Sequence, residues 1–144
     1  MKPAQCAGCP WETRGQGFVP GTGPSQARLV LLGQGPGRDE VAIGKPFVGT
    51  AGRRLDIWLT KAGIPRQMCW IDNMVRCWIK VRGQDVAPRK AIEECRQRHW
   101  LGPVQGQLAG GAWGIVAVGS AASKYLVGDW CGERAAGSVV EVDL

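Results

Sequence analysis

A chain of 144 residues is enough for one domain that buries roughly two-thirds of its unfolded surface, and no second domain is required. Its longest apolar runs, such as Leu29 to Leu32 and Ile115 to Val118, are too short to span a bilayer, and the N-terminus MKPAQCAGCP has no apolar signal core, so a soluble, cytoplasmic protein is expected. With 18 Lys and Arg against 12 Asp and Glu, the net charge of +6 suits a nucleic-acid partner through counterion release, and equally describes an ordinary basic surface.

The segment to about Ser25 is rich in Gly and Pro, which predicts an irregular N-terminal arm (residues 1–25). Ala27 to Leu32 is an aliphatic run ending at Gly33, the pattern of a buried parallel strand. A helix is expected from about Thr50 to Ala62, where Leu55, Trp58, Leu59 and Ala62 recur at helical spacing and Gly63 supplies the stop. Trp70 to Val75 reads as a second strand, and Pro88 to about Trp100 as a helix with Pro in its first turn. Trp113 to Val118 is a third strand, followed after Gly119 by a helix to about Leu126; Ser138 to Val142 is a fourth strand. Strands alternating with helices predict an α/β fold, a three-layer αβα sandwich around a mostly parallel four-stranded sheet. In such a sheet the site lies outside the carboxyl ends of the strands, near the loops at Gly33, Asn73 and Gly119.

The stretch LLGQGPGRDE, residues 31–40, partly matches two phosphate-binding loops. The dinucleotide fingerprint finds Gly33 and Gly35 in its first and third places but Arg38 in the sixth, with Pro36 interrupting the turn. A Walker-type loop would need Gly-Lys-Ser/Thr, whereas Gly44-Lys45 runs into Pro46. A Gly-Pro turn without a ligand is the plain alternative. The cysteines add a second constraint. Six of them in an intracellular chain argue for metal or cluster ligation over a disulfide framework. Cys6 and Cys9 form a CxxC pair, Cys77 follows the second strand and Cys95 lies in the next helix, a spacing compatible with zinc or with an iron–sulfur cluster. Cys69 and Cys131 are read as small apolar fillers.

Taken jointly, GQGPGRDEVAIGKPFVGTAGRRLD (33–56), WIDNMVRC (70–77), IEECRQ around Cys95, IVAVGSAASKYLVG (115–128) and the leading CxxC resemble the iron–sulfur uracil-DNA glycosylases, the family 4 branch of the uracil-DNA glycosylase superfamily. The resemblance runs from Cys6 to about Val127. It implies a DNA repair enzyme of base excision, a hydrolase that flips uracil out of single- or double-stranded DNA and breaks its N-glycosidic bond. It also implies that Cys6, Cys9, Cys77 and Cys95 hold a structural 4Fe-4S cluster, with zinc as the alternative, tying the arm to the second strand and the following helix.

By the same resemblance Phe47 matches the aromatic that stacks on the uracil and Asn73 the amide that reads its polar edge. The chemistry suits them: an aromatic face stacks on a flipped base, and an amide offers both a donor and an acceptor. Taken alone, Phe47 would pass for a core aromatic and Asn73 for a strand-end cap. The backbone of Gly33, Gly35, Pro36 and Gly37 is expected to approach the base and water, since glycine permits close backbone contact. Arg53 and Arg54, at the start of a helix, are candidate DNA contacts, and the protein is expected to act as a monomer.

Two departures bear on activity. Gln34 stands where the family usually has an acidic residue; it can orient a water but cannot take its proton. The family's His-Pro-rich loop after the last strand has no counterpart in these 144 residues, and the one histidine, His99, is expected to flank the cysteines or face solvent. Loss of one donor to a developing anion costs about 10²–10³ in rate, so weak or altered catalysis is expected. A non-catalytic DNA-binding module that keeps the fold and cluster is the alternative from a different functional class.

Overall fold

The computed structural model describes residues 1–128 and 144. In chain order the regular elements are β1 (Leu29–Gly33), α1 (Arg38–Ile43), α2 (Thr50–Lys61), β2 (Cys69–Asn73), the short strands β3 (Lys80–Val81) and β4 (Gln84–Asp85), α3 (Arg89–Cys95), a π-helical turn (Arg96–Trp100), α4 (Leu101–Ala109), β5 (Ile115–Ala117) and α5 (Ser120–Val127). β1 is central in a parallel sheet of order β2-β1-β5, and β3 and β4 form a separate antiparallel hairpin. The predicted strand Ser138 to Val142 and the filler Cys131 lie outside the described residues.

The strand period of two divides β1 between two cores. Val30 and Leu32 pack with Ala91, Ile92, Val104 and Ala122 of α3 to α5, while Leu31 packs with Leu59 of α2 and with Cys69 and Ile71 of β2. Helices therefore cover both faces of the sheet, as a parallel sheet requires. Cys69 is the buried apolar filler that its setting predicted. Trp100 is fully buried, and its indole N–H donates to the Met74 carbonyl at 3.0 Å, locking the helical layer to the segment after β2. Truncating such a residue to Ala typically costs about 3–5 kcal/mol.

Three features differ from the sequence expectation. The helix from α3 does not stop near Trp100; it passes through the π turn and continues as α4, which carries Pro103 just past that turn. Neither α1 nor the β3–β4 hairpin was anticipated. Among the described residues no helix is long and apolar enough to cross a membrane.

The first 25 residues are irregular, with one 3₁₀ turn at Ala4–Cys6. This arm runs antiparallel beside β2 and the segment that follows: Thr22 bridges Ile71, the Val19 N–H donates to the Arg76 carbonyl at 2.7 Å, and Gln16 bridges Trp78. The Lys2 ammonium gathers the carbonyls of Trp11, Glu12 and Gly15 at 2.6–2.7 Å, closing the loop that carries Cys6 and Cys9.

Candidate active site

Register places the last residues of β1 and β2, Gly33 and Asn73, side by side. Beyond them opens a cavity of about 450 Å³, within the range that holds small ligands. Its walls come from three sources: Gly35 and Gly37 to Glu40 after β1, Phe47 and Gly49 to Ala51 leading into α2, and Trp78, Lys80 and Asp85 of the hairpin region. Asn73 completes the lining.

Gly33 lies where a side chain would not fit. A Cβ there would overlap the Phe47 ring and stand 2.7 Å from Asn73 Oδ1. Phe47 and Asn73 thus converge over a bare backbone. Asn73 is 2 % exposed, and its Oδ1 has no hydrogen-bond partner. Such an orphaned acceptor costs roughly 1–3 kcal/mol, which a ligand N–H can return. Directly beneath, Asp72 accepts from the Asn73 N–H at 2.7 Å and forms a buried bidentate pair with Arg76, so the amide stands on a fixed base.

Phe47 is held in a left-handed conformation, φ 55°, which a bulky residue rarely adopts. Two devices secure it. Gly52 lets α2 pack against the Phe47 backbone with no room for a Cβ. Arg66 donates to the carbonyls of Pro46 and Phe47, both at 3.0 Å, and pairs with Asp56 at 2.6 Å. This clamp lies in a second cavity of about 590 Å³ that shares Phe47 as a wall.

Glu40 joins the two loops. Its Oε1 accepts the N–H groups of Val48 (2.9 Å) and Gly49 (2.7 Å), and its Oε2 that of Gly37 (3.1 Å). Burial alone would push its carboxyl up, but these N–H groups hold it below the usual carboxylate range. The Gly37 N–H is thereby committed to Glu40. Sequence reasoning missed this residue, although a Glu three positions after a helix N-cap is a known signature. Arg66 left no local signal, being ten positions from Asp56 and twenty from Pro46.

Of the residues singled out from sequence, Gly35, Gly37, Phe47 and Asn73 line the cavity and Gly33 lies at its base. Pro36 is buried behind the loop. Gln34 turns its amide toward the hairpin and donates to the Asp85 carbonyl at 3.3 Å. Arg53 and Arg54 are exposed on the first turn of α2, whose Thr50 and Ala51 line the cavity; Arg53 donates to Thr50 Oγ1 at 3.0 Å.

The four cysteines singled out from spacing are brought within electrostatic reach of one another. Burial pushes the Cys6 and Cys77 thiols up and Cys95 to about 12, and in each case neighbouring thiols of the set push further. Gly15 presses on Cys77, a Cβ there falling 2.5 Å from its Sγ. His99 flanks the set, Nε2 at 3.3 Å from Cys6 Sγ; burial, with Arg76 and Arg98 nearby, pulls it down to about 4. Among the described residues no three His, Cys, Asp or Glu side chains are drawn together around a single metal ion. A zinc site would need four donors converging at about 2.0–2.3 Å. A four-iron cube takes one thiolate at each corner, and four neighbouring cysteines supply that number of thiol donors.

Comparison with known proteins bears on the whole arrangement. The chain is 36% identical over 90 residues to the type-4 uracil-DNA glycosylase of Archaeoglobus fulgidus, 40% over 73 residues to that of Thermotoga maritima and 32% over 90 residues to that of Pyrobaculum aerophilum. These alignments cover 62%, 51% and 62% of this chain, and 44%, 38% and 45% of the relatives, so the chain spans less than half the length of the relatives it matches. The profile of the uracil DNA glycosylase superfamily matches residues 20–141, a span that holds the glycine loop, Phe47, Asn73 and the hairpin together. With most of its length matched, this chain belongs to the uracil DNA glycosylase superfamily.

Proposed function

We propose that this chain removes uracil from DNA by hydrolysing the N-glycosidic bond, and that Cys6, Cys9, Cys77 and Cys95 hold a 4Fe-4S cluster. The observation that carries the reading is the unpartnered, buried Asn73 Oδ1 beside the Phe47 ring over Gly33. That acceptor suits the N3–H of uracil, and the ring offers a face for the flipped base. Gly35 lets backbone approach the base where charge develops. Gln34 spends its amide N–H on the Asp85 carbonyl, and its free Oε1 is the acceptor proposed to orient the attacking water. The uracil leaves as an anion, so donors preset in a water-poor cavity lower the barrier more than they would in solution. Exposed Arg53 and Arg54 would meet the DNA backbone. The cluster, when bound, supplies coordinate bonds that fasten the arm to the segment after β2 and to α3.

The test is uracil release from a single-stranded oligonucleotide, read as alkali-labile scission. Asn73→Ala should lower the rate by about 10²-fold or more. Freshly purified, brown protein that gives no more scission than Asn73→Ala would refute the reading.

A further inference from the structure

We propose that the β3–β4 hairpin is the element that grips the DNA strand at the pocket mouth, with Lys80 and Arg82 taking phosphates that flank the extruded nucleotide. The inference rests on the reading of the pocket as a site for a base in DNA, and extends it to residues outside the base pocket's matched motifs.

The hairpin is built as a rigid projection. Its turn residues Arg82 and Gly83 both have left-handed backbones, φ 51° and 80°, the geometry of a tight two-residue hairpin turn. At the root, Trp78 exchanges both backbone hydrogen bonds with Gln16, at 2.8 and 2.9 Å, and the Val86 N–H donates to the Ile79 carbonyl at 3.0 Å. Ile79 is 5 % exposed in the main core. From that buried root, residues 80–85 stand out in solvent.

Charge is arranged along it with a direction. The Lys80 ammonium sits 4.7 Å from the centre of the Trp78 ring, and both residues line the pocket. The hairpin's one carboxylate, Asp85, is engaged by the Trp78 indole N–H at 2.7 Å, which leaves Lys80 without an ion pair among the described residues. Arg82 occupies the tip in a conformation that costs a non-glycine residue free energy, so its position is fixed at some expense. A nucleotide whose base enters the cavity leaves its phosphates at the rim, beside these cations. Contacts of this kind position a strand without reading its sequence.

Binding of a fluorescent, uracil-free oligothymidylate, measured by anisotropy across a salt series, tests this independently of catalysis. Each phosphate contact on a single strand contributes about 0.7 to the slope of log K against log salt. The Lys80→Gln/Arg82→Gln variant should therefore lose roughly 1.4 from that slope. The charge-preserving Lys80→Arg/Arg82→Lys should restore it. Lys61→Gln/Lys124→Gln, which removes the same net charge elsewhere, should keep it. A hairpin variant with the wild-type slope, or one no different from the Lys61/Lys124 control, overturns the proposal. If the slope falls as expected while the wild type releases no uracil, the hairpin assignment stands and the glycosylase reading falls; if the wild type binds no DNA, both fall.

Discussion

Replacing Glu40 by Gln probes how the two loops of the pocket are held to each other. The carboxylate accepts three backbone N–H groups, from Gly37, Val48 and Gly49. Gln keeps one oxygen for Val48 and Gly49 but turns an NH₂ toward the Gly37 N–H, donor against donor. Bonds to a charged acceptor are worth about 1.5–3 kcal/mol and neutral ones about 0.5–1.5 kcal/mol, so two bonds each weaken by about 1 kcal/mol and the third is lost. Water reaches this half-buried group and offsets much of the gross loss, leaving roughly 1–2 kcal/mol. For a chain of this length that is a fall in Tm of roughly 3–6 °C. The sign with pH follows from the carboxyl being held below its unfolded value of about 4.3. Its stabilisation is complete above that value and is lost as pH falls through the folded one. The gap in Tm between wild type and Glu40→Gln should be full at pH 7 and close in acid. Thermal unfolding at pH steps from 7 to 3, with uracil release at pH 7 alongside, measures this. An unchanged Tm, or a gap that stays constant into acid, would show that Glu40 does not join the loops.

Three further outcomes are expected. Gly33→Ala should reduce uracil release by about 10²-fold with far-UV circular dichroism unchanged, because its Cβ enters the space of the Phe47 ring and Asn73 Oδ1; a wild-type rate would contradict that packing. Arg66→Met keeps the stem but removes the bonds to Pro46, Phe47 and Asp56, so it should cost about 1–2 kcal/mol in thermal unfolding and raise KM, with Arg66→Lys recovering only part of both. Cys95→Ser should lower the iron content and the visible absorbance and depress Tm; an unchanged iron content would remove Cys95 from the ligand set.

The three sheet strands and the residues lining the cavity were legible because their signals are local or repeated. β1 is aliphatic on both faces, α2 carries apolar residues at helical spacing, and Phe47 and Asn73 sit in motifs whose joint spacing is specific. What stayed hidden depends on tertiary context. The six residues of α1 are too few to show a period, and their cap is a glycine helped by a Glu whose other bonds go to a loop nine residues on. The hairpin has two-residue strands and an Arg-Gly turn in place of the commoner Asn-Gly, so neither alternation nor turn chemistry announced it. The helix expected to end at about Trp100 runs on, because burial of Trp100 and Val104 carries the chain through the π turn. Arg66 was invisible because its partners are distant in sequence.

The antiparallel run of the arm beside β2 has a consequence for solubility. Among the described residues β2 is an outer strand in the order β2-β1-β5, and its outward N–H and C=O groups would be a ready template for a second chain. Thr22 occupies Ile71 in both directions, at 2.8 Å each way, while Val19 and Gln16 continue the cover past the strand's end. If the proposed cluster fastens the start of the arm, stripping its iron should loosen this cover and expose a sticky border, so that the protein aggregates edge to edge before its core unfolds.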